Sequence, residues 1–157
     1  MYKFERSKSE NHNKMLSNTS KYAIRAVIYL ALNAGEEKKI GIKQISKDLN
    51  IPTPFLGKIL QTLAKQKLLS STKGPHGGFG LGKPAKEIAL IDIVDIIDGK
   101  DIFNKCLIRL EDCNSKNPCS MHYKYIEIRK SIMTLFKEEK VSNLVDEIRE
   151  GEKKLNL

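Results

Sequence analysis

Two short amphipathic segments joined by a proline-containing turn constrain the fold of this chain more than any other feature. Residues 42–49 place Ile42, Ile45 and Leu49 on one helical face and polar or charged side chains on the others. Pro52 then interrupts the pattern, because the residue before a proline is disfavoured in the α conformation. A second helical pattern follows at once, with apolar residues at Phe55, Leu56, Ile59, Leu60 and Leu63. Two such helices joined by a tight turn predict a helix-turn-helix.

The segment that follows the second helix predicts a small β-hairpin. Residues 68–72 and 79–81 have the composition of two short strands. The sequence KGPHGG at residues 73–78 joins them, and its glycines permit the sharp bends that a hairpin tip requires. A hairpin directly after a helix-turn-helix is typical of a wing. We therefore predict a winged helix-turn-helix domain over residues 15–99.

Apolar residues at helical spacing predict further helices on either side of this motif. The first runs from about Ser20 to Asn33, with Gly35 as its stop, and either supports the motif or also presents its start to DNA phosphates. The expected fold class is mainly α with a small β wing, continued by a long C-terminal helix. The later helices are predicted from Ala89 to Asp98, from Ser120 to about Lys140, and around Leu144 to Ile148. The predicted segments are a disordered or artefactual tail at 1–14, the winged domain at 15–99, a cysteine-bearing loop at 100–119, and a dimerisation helix with a C-terminal tail at 120–157.

The charge distribution favours a nucleic acid as the partner of the winged domain. Residues 15–86 carry twelve Lys or Arg and three acids, whereas residues 87–157 carry twelve basic and fourteen acidic residues. Because duplex DNA is a dense array of phosphates, a basic excess that coincides with the motif indicates DNA binding rather than a merely soluble surface. Gln61 is suited to adenine, and Lys58 and Lys65 to phosphates. The full set of candidate DNA contacts is Thr53, Lys58, Gln61, Thr62, Lys65, Lys73 and His76.

The cysteines form a compact candidate metal site in the predicted loop. Cys106, Cys113, Cys119 and His122 follow the pattern C-x6-C-x5-C-x2-H. Four soft or borderline ligands at this spacing can close around one metal centre. The spacing leaves three interpretations open: an iron–sulfur cluster with a histidine ligand, a structural zinc ion held by three cysteines and one histidine, or three free, redox-reactive thiols. Spacing alone ranks the first two equally.

Composition argues against several other classes of protein. The sequence has no apolar run of membrane-spanning length and no signal-peptide pattern, so we expect a cytoplasmic protein without membrane contact. Three cysteines are an odd number, which disfavours a disulfide scaffold. A thiol-based redox enzyme would need an activated cysteine in a cleft. No Cys-x-x-Cys motif, nucleotide-binding loop or catalytic carboxylate pair supports an enzyme, so we expect none.

The long C-terminal helix carries an apolar stripe of its own. Its members are Tyr125, Ile128, Ile132, Leu135 and Phe136. Such a stripe either completes the core of the chain or forms a face that two subunits share. Because winged units commonly pair to bind two half-sites, the sequence favours a homodimer.

Taken together, these motifs resemble the Rrf2 family of bacterial transcriptional regulators over roughly residues 15–147. The resemblance is carried by KYAIRAVIYLAL, IGIKQISKDLNIPTPFLGKILQTLAKQKLL, KGPHGGFGL and the three cysteines in a loop. It implies a homodimeric winged-helix transcription factor whose long C-terminal helices cross at the dimer interface. It also implies that cysteine-bearing members hold an iron–sulfur cluster whose state changes DNA affinity. The run from Cys119 to His122 is similar to the IscR-type arrangement, which implies a 2Fe–2S cluster with three cysteine ligands and one histidine ligand.

The chain departs from the family pattern at three places. Lys73 stands where an arginine usually precedes Gly-Pro, and Gly57 stands where IscR-type members have a glutamate that discriminates between DNA sites. The first cysteine gap is one residue longer than in the IscR type, and NsrR-like members take their fourth ligand from elsewhere. The predicted function is a DNA-binding regulator that senses iron–sulfur status, redox state or nitric oxide through a cluster. The alternative is a regulator of the same family without a cluster, holding zinc or controlled by a ligand or a protein partner.

Overall fold

The computed structural model describes residues 15–34, 38–109 and 112–151. The predicted tail at residues 1–14 and the predicted helix stop at Gly35 lie outside this description. The helices are α1 (Asn18–Asn33), α2 (Ile42–Leu49), α3 (Thr53–Lys65), α4 (Leu90–Ile97), α5 (His122–Glu138) and α6 (Val141–Arg149), with 3-10 turns at Ala85–Glu87 and Ile102–Asn104. The strands are β1 (Leu69–Thr72) and β2 (Gly78–Leu81). The predicted fold class is confirmed, and none of the described helices combines the length and apolar character that crossing a bilayer requires.

Helix α1 forms the centre of the molecule. Ser17 caps its start by accepting a hydrogen bond from the backbone N–H of Ser20 at 3.0 Å. The residues Ala23, Ala26, Val27 and Leu30 are fully buried. They pack among α2, α3, α4, α6 and β2. Ser17 also donates its backbone N–H to Asp98 at 3.0 Å, which joins the start of α1 to the end of α4.

The turn between α2 and α3 is closed by backbone conformation and by hydroxyl groups. Asn50 adopts a left-handed conformation with φ of 51°, which asparagine tolerates better than most residues. Ser46 donates its hydroxyl to the carbonyl oxygen of Ile51 at 2.6 Å and accepts the hydroxyl of Thr53 at 2.8 Å. Ile51 itself is buried in the core. The predicted helix-turn-helix is therefore present, and these contacts fix the turn between its two helices.

The hairpin after α3 is antiparallel and is extended by a third segment. Leu69 pairs with Leu81 and Thr72 with Gly78. Ile40, just before α2, exchanges two backbone hydrogen bonds of 2.9 Å with Phe79 of β2. A Cβ at Gly78 would lie 2.4 Å from the carbonyl oxygen of Ile40, so this close approach requires glycine. The wing is thereby fastened to the helix-turn-helix.

The C-terminal helices return to the core. α5 packs against α4, and the backbone N–H of Val141 donates to the carbonyl oxygen of Ile88 at 2.9 Å after α5 ends. α6 then packs against α1, with Val141 and Val145 buried. α6 therefore forms part of the core around α1. The domain division drawn from the sequence, with a C-terminal segment at residues 120–157, stays a prediction.

Candidate DNA interface and metal centre

Helix α3 has one buried face and one exposed polar face. Leu56, Ile59, Leu60 and Leu63 are buried against the core. Lys58, Gln61, Thr62 and Lys65 are exposed. Thr62 donates its hydroxyl to the carbonyl oxygen of Lys58 at 2.8 Å, a bond within the helix. Four of the five candidate contacts on this helix thus lie together on an accessible surface.

Thr53, the fifth candidate on α3, lies in a different environment. It is the first residue of the helix and half-buried, and its hydroxyl bonds to Ser46 in the turn. Phe55, which the apolar pattern places on the buried face, is 36% exposed. It packs edge to face on Tyr22 of α1 with 5.6 Å between the ring centroids. The start of α3 therefore lies beside the first turns of α1, which sequence periodicity did not indicate.

The exposed face of α3 and the wing border one open cleft. Its volume is about 460 Å³. Gln61 and Lys65 line it from α3, and Thr72, Lys73 and Phe79 line it from the hairpin. Lys73 is exposed, as is His76 at the hairpin tip. The structure brings the two groups of candidate contacts to neighbouring surfaces.

Lys39 contacts the hairpin in a way that the sequence did not predict. Its ammonium group donates to the hydroxyl of Ser70 in β1, and Ser70 donates to the carbonyl oxygen of Leu81 in β2 at 2.9 Å. Its side chain crosses β2 at Gly80, where an added Cβ would lie 3.0 Å from Nζ and 3.2 Å from Cδ of Lys39. Sequence periodicity carries no signal for this contact, because Lys39 precedes α2 and its partners are far along the chain.

A tyrosine–aspartate pair fixes α1 relative to α2. Tyr29 donates its hydroxyl to Asp48 at 2.5 Å, and Gln44 donates to both oxygens of the same carboxylate at 2.8 and 2.9 Å. Burial raises the pKa of Tyr29 to about 12, and the Asp48 carboxylate adds to the effect. The hydrogen bond from Tyr29, followed by that from Gln44, lowers the pKa of Asp48. The pair thus stabilises a neutral tyrosine beside an ionised aspartate.

The four candidate metal ligands line one small cleft at the start of α5. Leu107, Met121 and Tyr125 complete its lining around Cys106, Cys113, Cys119 and His122. The sulfur atoms of Cys106 and Cys119 lie 3.7 Å apart, and the sulfur of Cys113 lies 3.0 Å from Nδ1 of His122. His122 is 3% exposed, the most buried member of the set. The fold therefore gathers the predicted ligands as two pairs.

Backbone hydrogen bonds and one ion pair hold the cysteine loop in this arrangement. The N–H of Cys113 donates to the carbonyl oxygen of Asn104 at 2.8 Å, and Lys105 forms an ion pair with Asp112 at 2.8 Å. The backbone N–H of Arg109 donates to the sulfur of Cys106 at 3.4 Å. Hydrogen bonds from the N–H groups of Arg109 and then Ile108 lower the pKa of the Cys106 thiol. These contacts favour a thiolate at the first cysteine.

The residue types of the four donors suit a metal centre, and the distance between the sulfur atoms of Cys106 and Cys119 suits two ligands of one metal ion. Two thiolates on one tetrahedral metal ion, each at about 2.3 Å, lie about 3.8 Å apart. The separation of 3.7 Å between Cys106 and Cys119 matches this value. Across residues 15–34, 38–109 and 112–151, however, no three or more His, Cys, Asp or Glu side chains converge closely enough to hold a metal ion. The donors are thus arranged two by two rather than around a single point.

Comparison with known proteins gives consistent matches. The sequence profile of the Rrf2 family, described as an iron-dependent transcriptional regulator, matches residues 16–147. A provisionally named HTH-type transcriptional regulator of Aquifex aeolicus (strain VF5) is 34% identical over 134 residues, which cover 84% of this chain and 92% of that protein. The HTH-type transcriptional regulator IscR of Photorhabdus laumondii subsp. laumondii is 31% identical over 107 residues, covering 68% of this chain and 64% of that protein.

Solved structures share the fold at lower sequence identity. T. potens IscR has a TM-score of 0.69 and 19% identity, with 90% of this chain and 93% of that one covered. CymR, the global cysteine regulator of B. subtilis, has a TM-score of 0.68 and 21% identity, with 83% and 95% covered. At these identities the comparison shows a shared fold.

Proposed function

Because the chain belongs to the Rrf2 family of transcriptional regulators, we propose that it binds duplex DNA through α3 and the wing and holds an iron–sulfur cluster in its cysteine loop. The observation that carries the DNA-binding half is the exposed polar face of α3, which shares one cleft with the hairpin. The proposed regulator acts in the cytoplasm as a homodimer. Its signal is iron–sulfur supply, redox state or nitric oxide.

In the proposed complex, α3 lies in the major groove, where base edges present distinct patterns of donors and acceptors. Gln61 is the candidate for a base contact, since its amide can both donate to and accept from adenine. Lys58 and Lys65 contact phosphates on either side. Lys73 and His76 place the wing on the adjacent backbone or minor groove. Thr53 and Thr62 add short hydroxyl contacts at the start and in the last turn of the helix.

The DNA-binding half is tested by Lys58→Met, measured with an operator duplex selected from a random-sequence pool. Loss of one phosphate contact should weaken binding and reduce the slope of log affinity against log salt by about one. The matched control is Lys124→Met, at an exposed lysine of α5. A salt slope that is equal in wild type and Lys58→Met would contradict the proposed contact.

The iron–sulfur half is supported by the arrangement of the donors in pairs. In a 2Fe–2S cluster each iron takes two protein ligands, and histidine can replace cysteine on iron. The pairs Cys106 with Cys119 and Cys113 with His122 suit two metal positions better than the single position of a zinc ion. When bound, the cluster would supply a group that responds to oxidation and to nitric oxide. The chain itself contributes the donors, the backbone N–H groups around Cys106 and the burial of His122.

His122 and helix α5 connect the proposed cluster site to the proposed DNA-binding surface. His122 is both a candidate ligand and the first residue of α5. α5 packs against α4, and α4 packs against α1 and α3. A change in how His122 is held would therefore bear on the first turn of α5 and, through α4, on α3. Coupling of this kind requires that the cluster be more stable in one DNA-binding state than in the other.

The iron–sulfur half is tested by purifying the protein anaerobically and measuring its visible spectrum together with iron, sulfide and zinc. The expected content is about two iron and two sulfide per chain, as for a 2Fe–2S cluster. Cys119→Ser should lose most of the iron. A colourless, iron-free protein that binds its operator normally would contradict the cluster and favour the family alternative without one; zinc at one per chain would identify the zinc-bound form.

A further inference from the structure

Cys106 and Cys119 lie in contact although twelve residues separate them in the sequence. Their sulfur atoms are 3.7 Å apart. We propose that these two thiols are a site of reversible oxidation, at which a peroxide converts the metal-free protein to an intramolecular Cys106–Cys119 disulfide. The linkage rests on the geometry of the loop alone, whereas its consequence for cluster loading rests on the proposed function.

The fold selects this pair from the three possible pairs of thiols. Cys113 is engaged elsewhere, with its sulfur 3.0 Å from Nδ1 of His122. Its backbone N–H is also fixed, since it donates to the carbonyl oxygen of Asn104 at 2.8 Å. In the part of the chain that the structure describes, Cys106 and Cys119 are the two thiols in contact with each other. Sequence spacing does not favour this pair, because Cys113 lies closer to each of them along the chain.

Formation of the bond requires little movement. A disulfide joins its sulfur atoms at about 2.05 Å, so each sulfur has to approach the other by less than about 1 Å. Both cysteines lie in the loop region before α5 and outside the helices, where side-chain rotation is not opposed by a helical turn. Both are half-buried rather than enclosed, so each side chain is partly accessible to solvent.

The reaction balances with a peroxide as the oxidant. One thiol takes an oxygen atom from hydrogen peroxide, which gives a sulfenic acid and releases one water. The second thiol then attacks that sulfur, the S–O bond breaks, and a second water leaves as the S–S bond forms. The two thiols together lose two electrons and two protons, and the peroxide is reduced to two waters. A dithiol reductant reverses the oxidation by thiol–disulfide exchange.

The disulfide would remove one of the two donor pairs of the proposed cluster site. Cys113 and His122 alone cannot satisfy two iron positions, so an oxidised chain cannot load a cluster until it is reduced. Thiol oxidation in the loop would therefore hold the regulator in its cluster-free form independently of iron supply.

The linkage is tested by peptide mapping, because trypsin places each cysteine on its own peptide. Cleavage after Lys105, Arg109, Lys116 and Lys124 yields peptides 106–109, 110–116 and 117–124. The full-length metal-free protein is reduced, treated with one equivalent of hydrogen peroxide without other oxidants, alkylated and digested without reduction. We expect peptide 106–109 linked to peptide 117–124, and peptide 110–116 alkylated alone. A link that involves peptide 110–116, three alkylated peptides, or a link between two chains on a non-reducing gel would overturn the proposal.

Serine variants provide the matched controls for the mapping. Cys113→Ser should keep the link between peptides 106–109 and 117–124, whereas Cys119→Ser should lose it without a new link to peptide 110–116. Loss of the link in Cys113→Ser while its circular dichroism spectrum matches wild type would assign the reactive role to Cys113 and contradict the proposal.

A second measurement separates this inference from the proposed cluster. Oxidised and re-reduced protein are each incubated anaerobically with ferrous iron and sulfide, desalted, and assayed for iron and visible absorbance. We expect at least about tenfold less iron in the oxidised sample, since half of the donors are blocked. If the mapped link forms but the reduced protein takes up no iron, the proposed cluster fails and the disulfide stands. If the reduced protein loads iron and the oxidised protein loads it equally well, the inference fails.

Discussion

At the scale of single residues, the contact between Tyr29 and Asp48 shows how one hydrogen bond sets both a geometry and a pH dependence. It joins the C-terminal half of α1 to the penultimate residue of α2, over a distance of 2.5 Å. Burial and the neighbouring carboxylate raise the pKa of Tyr29 from 10.0 to about 12. The folded protein therefore retains the Tyr29 proton at pH values where the unfolded chain has lost it. The corresponding contribution to the free energy of unfolding is fully present below pH 10 and is lost as pH rises towards 12.

Replacing Tyr29 with phenylalanine should remove this pH-dependent contribution to the free energy of unfolding. We expect the free energy of unfolding of the wild type to fall more steeply between pH 10 and 12 than that of Tyr29→Phe. The measurement is urea denaturation, followed by circular dichroism, at a series of pH values. Tyr123→Phe, at a tyrosine that is 72% exposed, serves as the control and should keep the wild-type slope. Parallel curves for wild type and Tyr29→Phe would show that the hydroxyl of Tyr29 is not protected by folding.

At the scale of elements, the wing is held in place by more than its own strand pairing. Ile40 bonds to β2 through its backbone, and the side chain of Lys39 crosses β2 to reach Ser70 in β1. α2 begins two residues after Ile40, so these contacts join the wing to the helix-turn-helix. Lys39 thus differs from a lysine that contacts phosphate, because its ammonium group is directed at the hairpin.

Lys39→Met tests whether this residue positions the wing. It keeps most of the aliphatic stem and removes the hydrogen bond to Ser70, which is worth about 1 kcal/mol or roughly a fivefold change in an equilibrium. We expect operator affinity about fivefold below that of Lys38→Met, a matched control at the adjacent exposed lysine, with equal salt slopes for the two variants. Binding assays over a series of salt concentrations provide both quantities. Equal affinities would mean that Lys39 acts only as one of several positive charges.

At the scale of the whole molecule, α5 exposes large apolar side chains within the part of the chain that the structure describes. Its predicted stripe is divided between two environments. Phe136 packs on Phe103 within the chain, with 5.4 Å between ring centroids. Ile128 is 58% exposed and Leu135 is 55% exposed. The proposed homodimer would bury these two side chains against a second subunit.

Leu135→Lys should dissociate this proposed dimer, since it places a charge in an apolar contact. We expect a monomer by sedimentation equilibrium. Operator binding should also weaken, because a monomer contacts one half-site whereas a dimer contacts two. Thr134→Lys introduces the same charge at the adjacent exposed position and should leave the dimer intact. A dimer that persists in Leu135→Lys would place the subunit interface on a different surface.

Local chemistry in the sequence determined most of the elements and the composition of the candidate site. Apolar spacing and Pro52 are enough to define α2 as residues 42–49 and to separate it from α3, because helix periodicity and proline sterics act over a few residues. The glycines at 77 and 78 likewise indicate the hairpin. The four metal-ligand candidates could be selected by residue type and spacing. Each of these signals lies within a short stretch of chain.

Tertiary structure alone decided which surfaces and side chains meet. A periodic pattern defines an apolar face but not its partner, so the packing of α6 on α1 and the exposure of Phe55 required the folded chain. The contact of Lys39 with Ser70 and the pairing of Cys106 with Cys119 join positions that no local rule relates. These groups meet only when the helices and strands pack together, because contacts between distant residues depend on the relative placement of whole elements.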